Sequence, residues 1–586
     1  MGSPRPAATA RFMILLGVFS GYHDASACLV DDYRLVAAVA RERLTRVKVD
    51  RGRGPDEAID EVLAIAGLTR RDVDMVVLGR GPFPWRHFRH WRGGRLIEGR
   101  VRQALGRAKM KSMERELVRL GHADSLALFD AERFLAGHGF RAGTPVRFFN
   151  HHLAHALPAL FHSDGDDALL YTAEGGGDNV QHSRHHFHDG RLETLEGDDG
   201  AFARPMAIDS LGLAYGYVTQ ALGFHMNRHE GKVTGLAALG RPVVAEAIAG
   251  RFRVDDDGRV TSDYPSYLAM REHLVGLSRT TAREDMAASI QHVLEDTILA
   301  AVKRTLARHP AKHLGVAGGV FANVRLNQRL AEEAGVEALF VYPAMSDAGR
   351  PHGGVLQALL ERDGMKRWLN HRHRLDTLYL GRDSGDAAER ALAATPGVRQ
   401  VAADTVAAIP AMLAAGRIVG LYTLGMEYGL RALGARSIPA APTDSAINDT
   451  LNRRLERSEF MPFAPVVAEG DADTVFDLPA ALRYAVWFMT MTCAVRLAWR
   501  ERIPAVVHVD GAARPQVIAR APNTLYFDIL AGYKALTGIP VLINTSFNVH
   551  EEPIVNTPAE AARALLDGRI DALAIAGGVW ARGDAP

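Results

Sequence analysis

The sequence predicts an α/β protein made of two αβ regions, the first of them an internal duplication. Three observations predict it. A strand–turn–strand–turn–strand pattern occurs twice in the first part of the chain, each time leading towards helices. A charged, histidine-rich connector, MKRWLNHRHRLDT, follows from Met365. Beyond about Leu378, strand-like runs such as GRIVGLY, TGIPVLINTSFN and IDALAIAGG alternate with amphipathic helices to the end.

The first copy is FMILLGVFSGYHDASACLVDDYRLVAAVA, with a small-residue turn after its first strand and an acidic tight turn after its second. The second is DALLYTAEGGGDNVQHSRHHFHDGRLETLEG, in which Asp189-Gly190 supplies the hairpin turn. Between them lies a basic stretch, residues 85–111, rich in Arg with Trp interleaved, which reads as a solvated helical insertion. The first region closes near AMSDAGRPHGGVLQALLERDG, and the expected division is 1–365 and 366–586.

Bulk properties narrow the function. A chain of 586 residues is too long for one core, and its formal net charge of +1 gives no field for nucleic acid or membrane. Two cysteines, Cys28 and Cys493, exclude a disulfide scaffold and a cysteine-rich zinc site. The apolar run FMILLGVFSG is a poor signal peptide, because His23 and Asp24 follow it at once. Met1-Gly2 lacks the Ser or Thr at position six that myristoylation needs. No segment reaches the roughly 20 apolar residues of a membrane span. The expectation is a cytoplasmic protein with no membrane and no nucleic-acid partner; oligomeric state is not legible.

The chemistry concentrates in a few stretches. FNHHLAHALPALF places His151 and His155 four residues apart, on one face of a helix that Asn150 can cap. Two such imidazoles can share a metal, leaving room for carboxylates. Among 24 histidines the spacing recurs, at His225/His229 and at His309/His313, so the capped, strand-fed context is what singles out the first pair. Oxygen donors beside glycines are Glu174 and Asp178 in TAEGGGDN and Asp347 in AMSDAG. GGVFANVRLN reads as a glycine-rich turn feeding a helix, suited to phosphate or nucleotide. In the second region four loops gather anion-binding side chains: Arg431 and Arg436; Asn452, Arg453, Arg454 and Arg457; His508, Asp510 and Arg514; and Asn544, Ser546 and Asn548.

Together GYHDASA, ERLTRVK, NHHLAHA, HEGKVTGLAALG, GGVFANVRLN, SDAG, MEYGLRALGARSI, EFMPFAP, PAVVHVDGAARPQ and NTSFNVHEEPIV resemble the O-carbamoyltransferase family of the nodulation and tobramycin carbamoyltransferases. The resemblance implies a duplicated actin-like N-terminal domain, like the universal tRNA threonylcarbamoyl transferase. It implies a C-terminal domain like threonylcarbamoyl-AMP synthase. It further implies that carbamoyl phosphate and ATP, with magnesium, give carbamoyl-adenylate and pyrophosphate, and that the carbamoyl group then passes to a hydroxyl of a small-molecule acceptor. A natural product or sugar is the expected acceptor, with antibiotic biosynthesis as one setting.

The matches imply roles. His23 would be the general base, and Asp24 and Asn227 would face the acceptor. Lys48, Gly319 and Asn323 would contact the nucleotide. Arg431, Arg436, Arg514, Asn544 and Asn548 would hold carbamoyl phosphate. His151, His155, Glu174 and Asp347 would ligate a divalent metal, iron(II) foremost, with manganese and zinc as alternatives. Three departures stand out. Glu174 occupies a position where the family usually has Asp, and its extra methylene puts direct ligation in question. The family's NVRGEPI is NVHEEPI here, so His550 replaces an arginine. The segment before FMPFAP also differs from the family's, and Arg457 receives no role. Rival readings are threonylcarbamoyl transfer to tRNA and a non-catalytic, nucleotide-sensing actin-like protein. The arginine-rich second region speaks against a pure sensor, and the lack of cysteine pairs against the hydrogenase-maturation branch.

Overall fold

The computed structural model describes residues 13–50, 54–89, 110–457 and 460–583. Most of the basic stretch 85–111, and Glu459 of the EFMPFAP motif, lie outside the described residues.

The duplication is visible in the sheets. The first contains β1 (Ile14–Phe19), β2 (Ser26–Asp31), β3 (Arg34–Ala40), β4 (Met75–Leu78) and β5 (Val146–Phe148), in the order β3-β2-β1-β4-β5. The second contains β6 (Ala168–Gly177), β7 (Val180–His188), β8 (Arg191–Glu196), β9 (His313–Ala317) and β10 (Ala338–Val341), in the order β8-β7-β6-β9-β10. In both, the three meander strands run antiparallel and the last two join parallel. The Asp189-Gly190 turn takes φ of 50° and 69°, the doubly left-handed turn whose twist matches a two-residue hairpin. This repeated, mixed five-stranded unit is the actin-like arrangement the sequence led us to expect.

Five helices matter for the site: α1 (His151–Phe161), α2 (Glu230–Ala237), α3 (Arg283–Arg308), α4 (Val324–Glu333) and α5 (Arg350–Asp363). Helix α1 follows β5, and α5 follows β10, so the two occupy equivalent places in the repeats. They pack backbone to backbone: a Cβ on Gly353 would stand 1.6 Å from Ala154 O. Both faces of β1 are buried, with Leu15 in the core shared by the repeats and Leu16 in a second cluster with Ile59, Phe83 and Phe129.

The second region is an eight-stranded mixed sheet. Its strands are β11 (Val398–Ala402), β12 (Val419–Tyr422), β13 (Arg436–Ala440), β14 (Ala464–Ala468), β15 (Gln516–Ile518), β16 (Val541–Ser546), β17 (Ala572–Ile575) and β18 (Gly578–Arg582). They lie in the order β11-β18-β17-β12-β13-β16-β14-β15. Its apolar interior is continuous with that of the repeats through residues such as Tyr342, Tyr428 and Val466. No described helix is long and apolar enough to cross a membrane.

Candidate functional site

Helix α1 begins where Asn150 turns the chain out of β5. The Asn150 side chain accepts the Leu153 N–H at 2.8 Å and donates to Asp199 at 2.8 Å. The cap therefore fixes the first turns, and His151 and His155 point inward, 7% and 1% exposed. Glu174, near the end of β6, meets both: Oε2 is 2.6 Å from His151 Nε2 and Oε1 is 2.7 Å from His155 Nε2. Asp347, at the turn leading into α5, brings Oδ1 to 3.8 and 3.5 Å of the same two nitrogens. All four side chains are buried and their donor atoms lie within 4.8 Å of one another. Glu174 thus reaches the centre of the group and does not stand back from it.

The electrostatics suit a cation. Burial pushes the Glu174 carboxyl up, but His155 and His151 outweigh it and hold it well below the usual carboxylate range. Burial likewise opposes ionisation of Asp347, and Arg350 overcomes it, holding Asp347 at about 2. Burial and Arg350 lower His151, which keeps its imidazole neutral. Asp347 Oδ1 is buried with no hydrogen-bond partner and faces His155 Nε2 at 3.5 Å. Two ionised carboxylates and two imidazole nitrogens converging on one point form a donor set that a divalent ion satisfies. Asp178 is not part of it. Its Oδ2 accepts the His151 N–H at 2.9 Å and pairs with Arg80 at 2.7 Å, so it anchors the helix start. Arg350 went unnoticed in the sequence; it pairs with Asp347 at 2.9 Å, contacts His151 Nδ1 and lies over the Phe19 ring.

His23 opens onto this group. Its side chain is 36% exposed, and Nδ1 lies 3.4 Å from Asp24 Oδ2 and 3.8 Å from Asp347 Oδ2. Desolvation pulls the imidazole down, but the Asp24 bond and the fields of Asp347, Asp24 and Glu174 outweigh it and raise it to about 9. That departs from the unperturbed imidazole expected of a base. Asp24 and Asn227 both adopt left-handed φ, 56° and 66°. The Asn227 N–H bonds Glu230 Oε1 at 2.6 Å, and Glu230 lies within the field of His23, so this turn approaches the same opening.

Gly319 and Asn323 flank a single turn between this group and a second space. The Gly319 N–H donates to Glu174 Oε1 at 3.1 Å. Asn323 caps α4 through Leu326 N and bonds Gln291, 9% exposed, so its amide is committed to structure. Ala322 and Val324, between and beyond them, line a cavity of about 670 Å³ that both regions enclose. Lys48, Arg431, Arg514, Asn544 and Asn548 line the same cavity, as do Lys232, His508 and Arg457. Lys232 had no signal beyond its place in HEGKVTGLAALG.

The arginine loop has a definite cause. The Glu427 carboxylate, 2% exposed, accepts the N–H groups of Leu433, Ala435 and Arg436 at 2.8, 2.8 and 3.0 Å. That gathers the loop and presents Arg431 at the wall, where its Nη2 reaches Ala322 O at 3.4 Å. Burial and the neighbouring Arg514 draw the Arg431 guanidinium well down from its ordinary value. Asn544 is set by Gln516 Oε1 at 2.5 Å. Arg457 bonds Thr545 Oγ1 at 2.7 Å, Ser546 O at 2.6 Å and Asn548 O at 2.8 Å, so it organises the turn that carries Asn548.

Arg436 corrects the sequence reading. It is fully buried, does not line the cavity, and spends Nη1 on Thr423 O at 2.5 Å, Leu424 O at 3.2 Å and Ala435 O at 3.1 Å, with its cation 3.8 Å from the Tyr422 ring centroid. It is a structural pin and not an anion ligand.

His550 lines the cavity and stacks on His229, 5.8 Å between rings. Its neighbour Glu551 bridges the regions, 2.7 Å from Arg228 Nη1 and 2.6 Å from His229 Nε2. His229 Nδ1 accepts the His225 N–H at 3.2 Å, so Nε2 carries the proton. This grouping is a hydrogen-bonded clasp, not a metal site. Arg46 reinforces it by donating to Pro553 O and Ile554 O, both at 2.7 Å.

Comparison with known proteins agrees with this layout. The family model described as the carbamoyltransferase N-terminus matches residues 14–356, and that of the carbamoyltransferase C-terminus matches 410–582. "Nodulation protein NolNO" of Sinorhizobium fredii is 33% identical over 574 residues, covering 94% of this chain and 78% of that protein. "Nodulation protein NolO" of Bradyrhizobium diazoefficiens is 33% identical over 440 residues, covering 73% and 77%. "Uncharacterized protein sll1178" of Synechocystis is 30% identical over 620 residues, covering 98% and 97%. With both family models matched in order along one chain, the protein belongs to the carbamoyltransferase family and is a transferase.

Proposed function

We propose that the protein is an ATP-dependent O-carbamoyltransferase, with adenylation assigned to residues 366–586 and transfer to 1–365. The observation that carries the reading is the Arg431–Arg514 pair: two half-buried cations share one cavity, close enough that burial and Arg514 draw the Arg431 guanidinium down, with Asn544 and Asn548 beside them. Like charges held side by side in a cavity call for an anion with several oxygens. Carbamoyl phosphate and the phosphates of ATP fit that demand. Carbamoyl phosphate, ATP and water would give carbamoyl-adenylate, phosphate and pyrophosphate. The acceptor oxygen would then attack the carbamoyl carbon, the bond to AMP would break, and the hydroxyl proton would leave to a base.

His23, with Asp24 as its partner at 3.4 Å, would take that proton. The fields of Asp347 and Glu174 help to keep it protonated in the metal-free state. A divalent ion held by His151, His155, Glu174 and Asp347 would act as a Lewis acid on an oxygen ligand. Its charge would also offset those carboxylates, letting His23 fall towards the ordinary imidazole range. Lys48, which lines the cavity, and Gly319, at the start of the turn that carries Ala322, would hold the adenylate between the two spaces. Iron(II), manganese and zinc all suit the donor set.

The test is incubation with ATP and carbamoyl phosphate, followed by mass spectrometry for carbamoyl-adenylate. Carbamoyl-adenylate that forms only when both substrates are present supports the reading; its absence from metal-loaded protein overturns it.

A further inference from the structure

We propose a second metal-binding site at the edge of the second sheet, formed by Asp167, His186 and His188. It would take a divalent ion of the zinc, nickel or copper class.

The sheet itself sets the placement. His186 and His188 are two residues apart on β7, so their side chains share one face. Pairing of Ala168 with Phe187 puts Asp167, just before β6, beside His188 on the neighbouring strand. The donor atoms of the three lie within 4.8 Å of one another. Asp167 Oδ1 is 3.4 Å from His188 Nδ1 and 3.8 Å from His186 Nε2. Ligands at about 2.0–2.1 Å from a tetrahedral zinc stand roughly 3.3 Å apart, so little adjustment is needed.

Two further observations point to a ligand. Asp167 Oδ1 is buried and makes no hydrogen bond. The Asp167 backbone is fixed at the same time, because its carbonyl accepts from His313 N at 3.1 Å and faces His313 Nδ1 at 3.2 Å. His186 Nε2, the nitrogen that faces Asp167 Oδ1, also lies 3.1 Å from Pro310 O. Ligation through Nε2 would exchange that carbonyl contact for the ion and leave Nδ1 as the protonated nitrogen. His309 and Glu193 also reach His186, and offer further donors on its other side.

This site is separate from the buried group. Asp167 and Glu174 sit at opposite ends of β6, on the order of 20 Å apart at about 3.3 Å per residue. An ion here would tie the start of β6 to the end of β7, a structural role and not a catalytic one.

The experiment is metal stoichiometry. Chelator-stripped full-length protein is titrated with Co²⁺ and Zn²⁺ by calorimetry and by Co²⁺ absorption. Two ions are expected per wild-type chain. His186→Ala/His188→Ala should bind one, while His151→Ala/His155→Ala should lose the other and keep this one. The exposed His188→Ala alone, which disturbs no buried packing, should weaken Co²⁺ binding at this site at least tenfold. The site is overturned if the His186/His188 variant, folded by circular dichroism, binds as many ions as the wild type, or if His188→Ala leaves Co²⁺ affinity unchanged.

Discussion

His229 Nε2 stands 2.6 Å from Glu551 Oε1, and that bond joins the turn entering α2 to the loop that carries Asn548. Two walls of one cavity, 322 residues apart in the sequence, are thereby tied together. Glu551 holds φ at +61°, a left-handed conformation a side chain adopts at a cost of about 1–3 kcal/mol. The clasp therefore stores strain that its two partners offset.

Glu551→Gly should relieve the strain and lose the clasp together. The two effects oppose, so the melting temperature should change little, while hydrogen exchange in 225–232 and 548–554 accelerates. Burial pushes the Glu551 carboxyl up, but Arg228 and His229 outweigh it and hold it at about 2. A depressed carboxylate stabilises fully above its unfolded value, about 4.3, and loses that contribution as pH falls towards 2. Wild-type protection of the loop should fade over that window, and the variant's should not. Equal exchange in both proteins at neutral pH would remove the clasp.

Arg431 sits in the loop and Arg436 opens the strand that ends it, and the two should behave oppositely. Arg431→Ala removes a half-buried cation beside Arg514, so stability should hold or rise while carbamoyl phosphate-dependent pyrophosphate release is lost. Arg436→Ala strips donors from three buried carbonyls, at about 1–3 kcal/mol each at most, and should lower the melting temperature. Differential scanning calorimetry beside a pyrophosphate assay separates them. Pyrophosphate release at the wild-type rate in Arg431→Ala would refute the anion role.

The buried group should bind its ion through four ligands together. Glu174→Gln and Asp347→Asn should each lower metal content at least tenfold by elemental analysis, and the His151→Ala/His155→Ala variant should purify folded but without metal at that site. Retention of that ion by the double variant would return the pair to the status of core histidines.

His23→Asn should separate the two chemical steps. Adenylate formation should persist, because the adenylation cavity does not include His23. Carbamoyl transfer to an acceptor found by screening should fall by about 10²–10⁴. Transfer within a few-fold of wild type at saturating acceptor would exclude the base role.

The sequence carried the repeats well, because a period of two and paired turns survive without tertiary context. It also carried His151 and His155, since helical spacing and an Asn cap are local facts. It could not separate Arg431 from Arg436. Five residues apart in a glycine-punctuated loop, their fates depend on Glu427 gathering three N–H groups, an event of three-dimensional folding. Arg350 and Lys232 were invisible for a similar reason: each matters through a partner or a wall far away in the chain. Arg457 was passed over because it acts on backbone, and sequence patterns advertise ligands better than scaffolding.

The packing of α1 against α5 through Gly353 has an implication for ancestry. These helices are counterparts in the two repeats, and His151 and Asp347 each sit at the mouth of one of them. The four-residue group therefore draws on both repeats at once, imidazoles from one helix mouth and a carboxylate with its arginine from the other. A duplication that pairs two like helices makes such a seam, and within one chain each mouth is free to carry different side chains, so a symmetric frame can hold asymmetric chemistry.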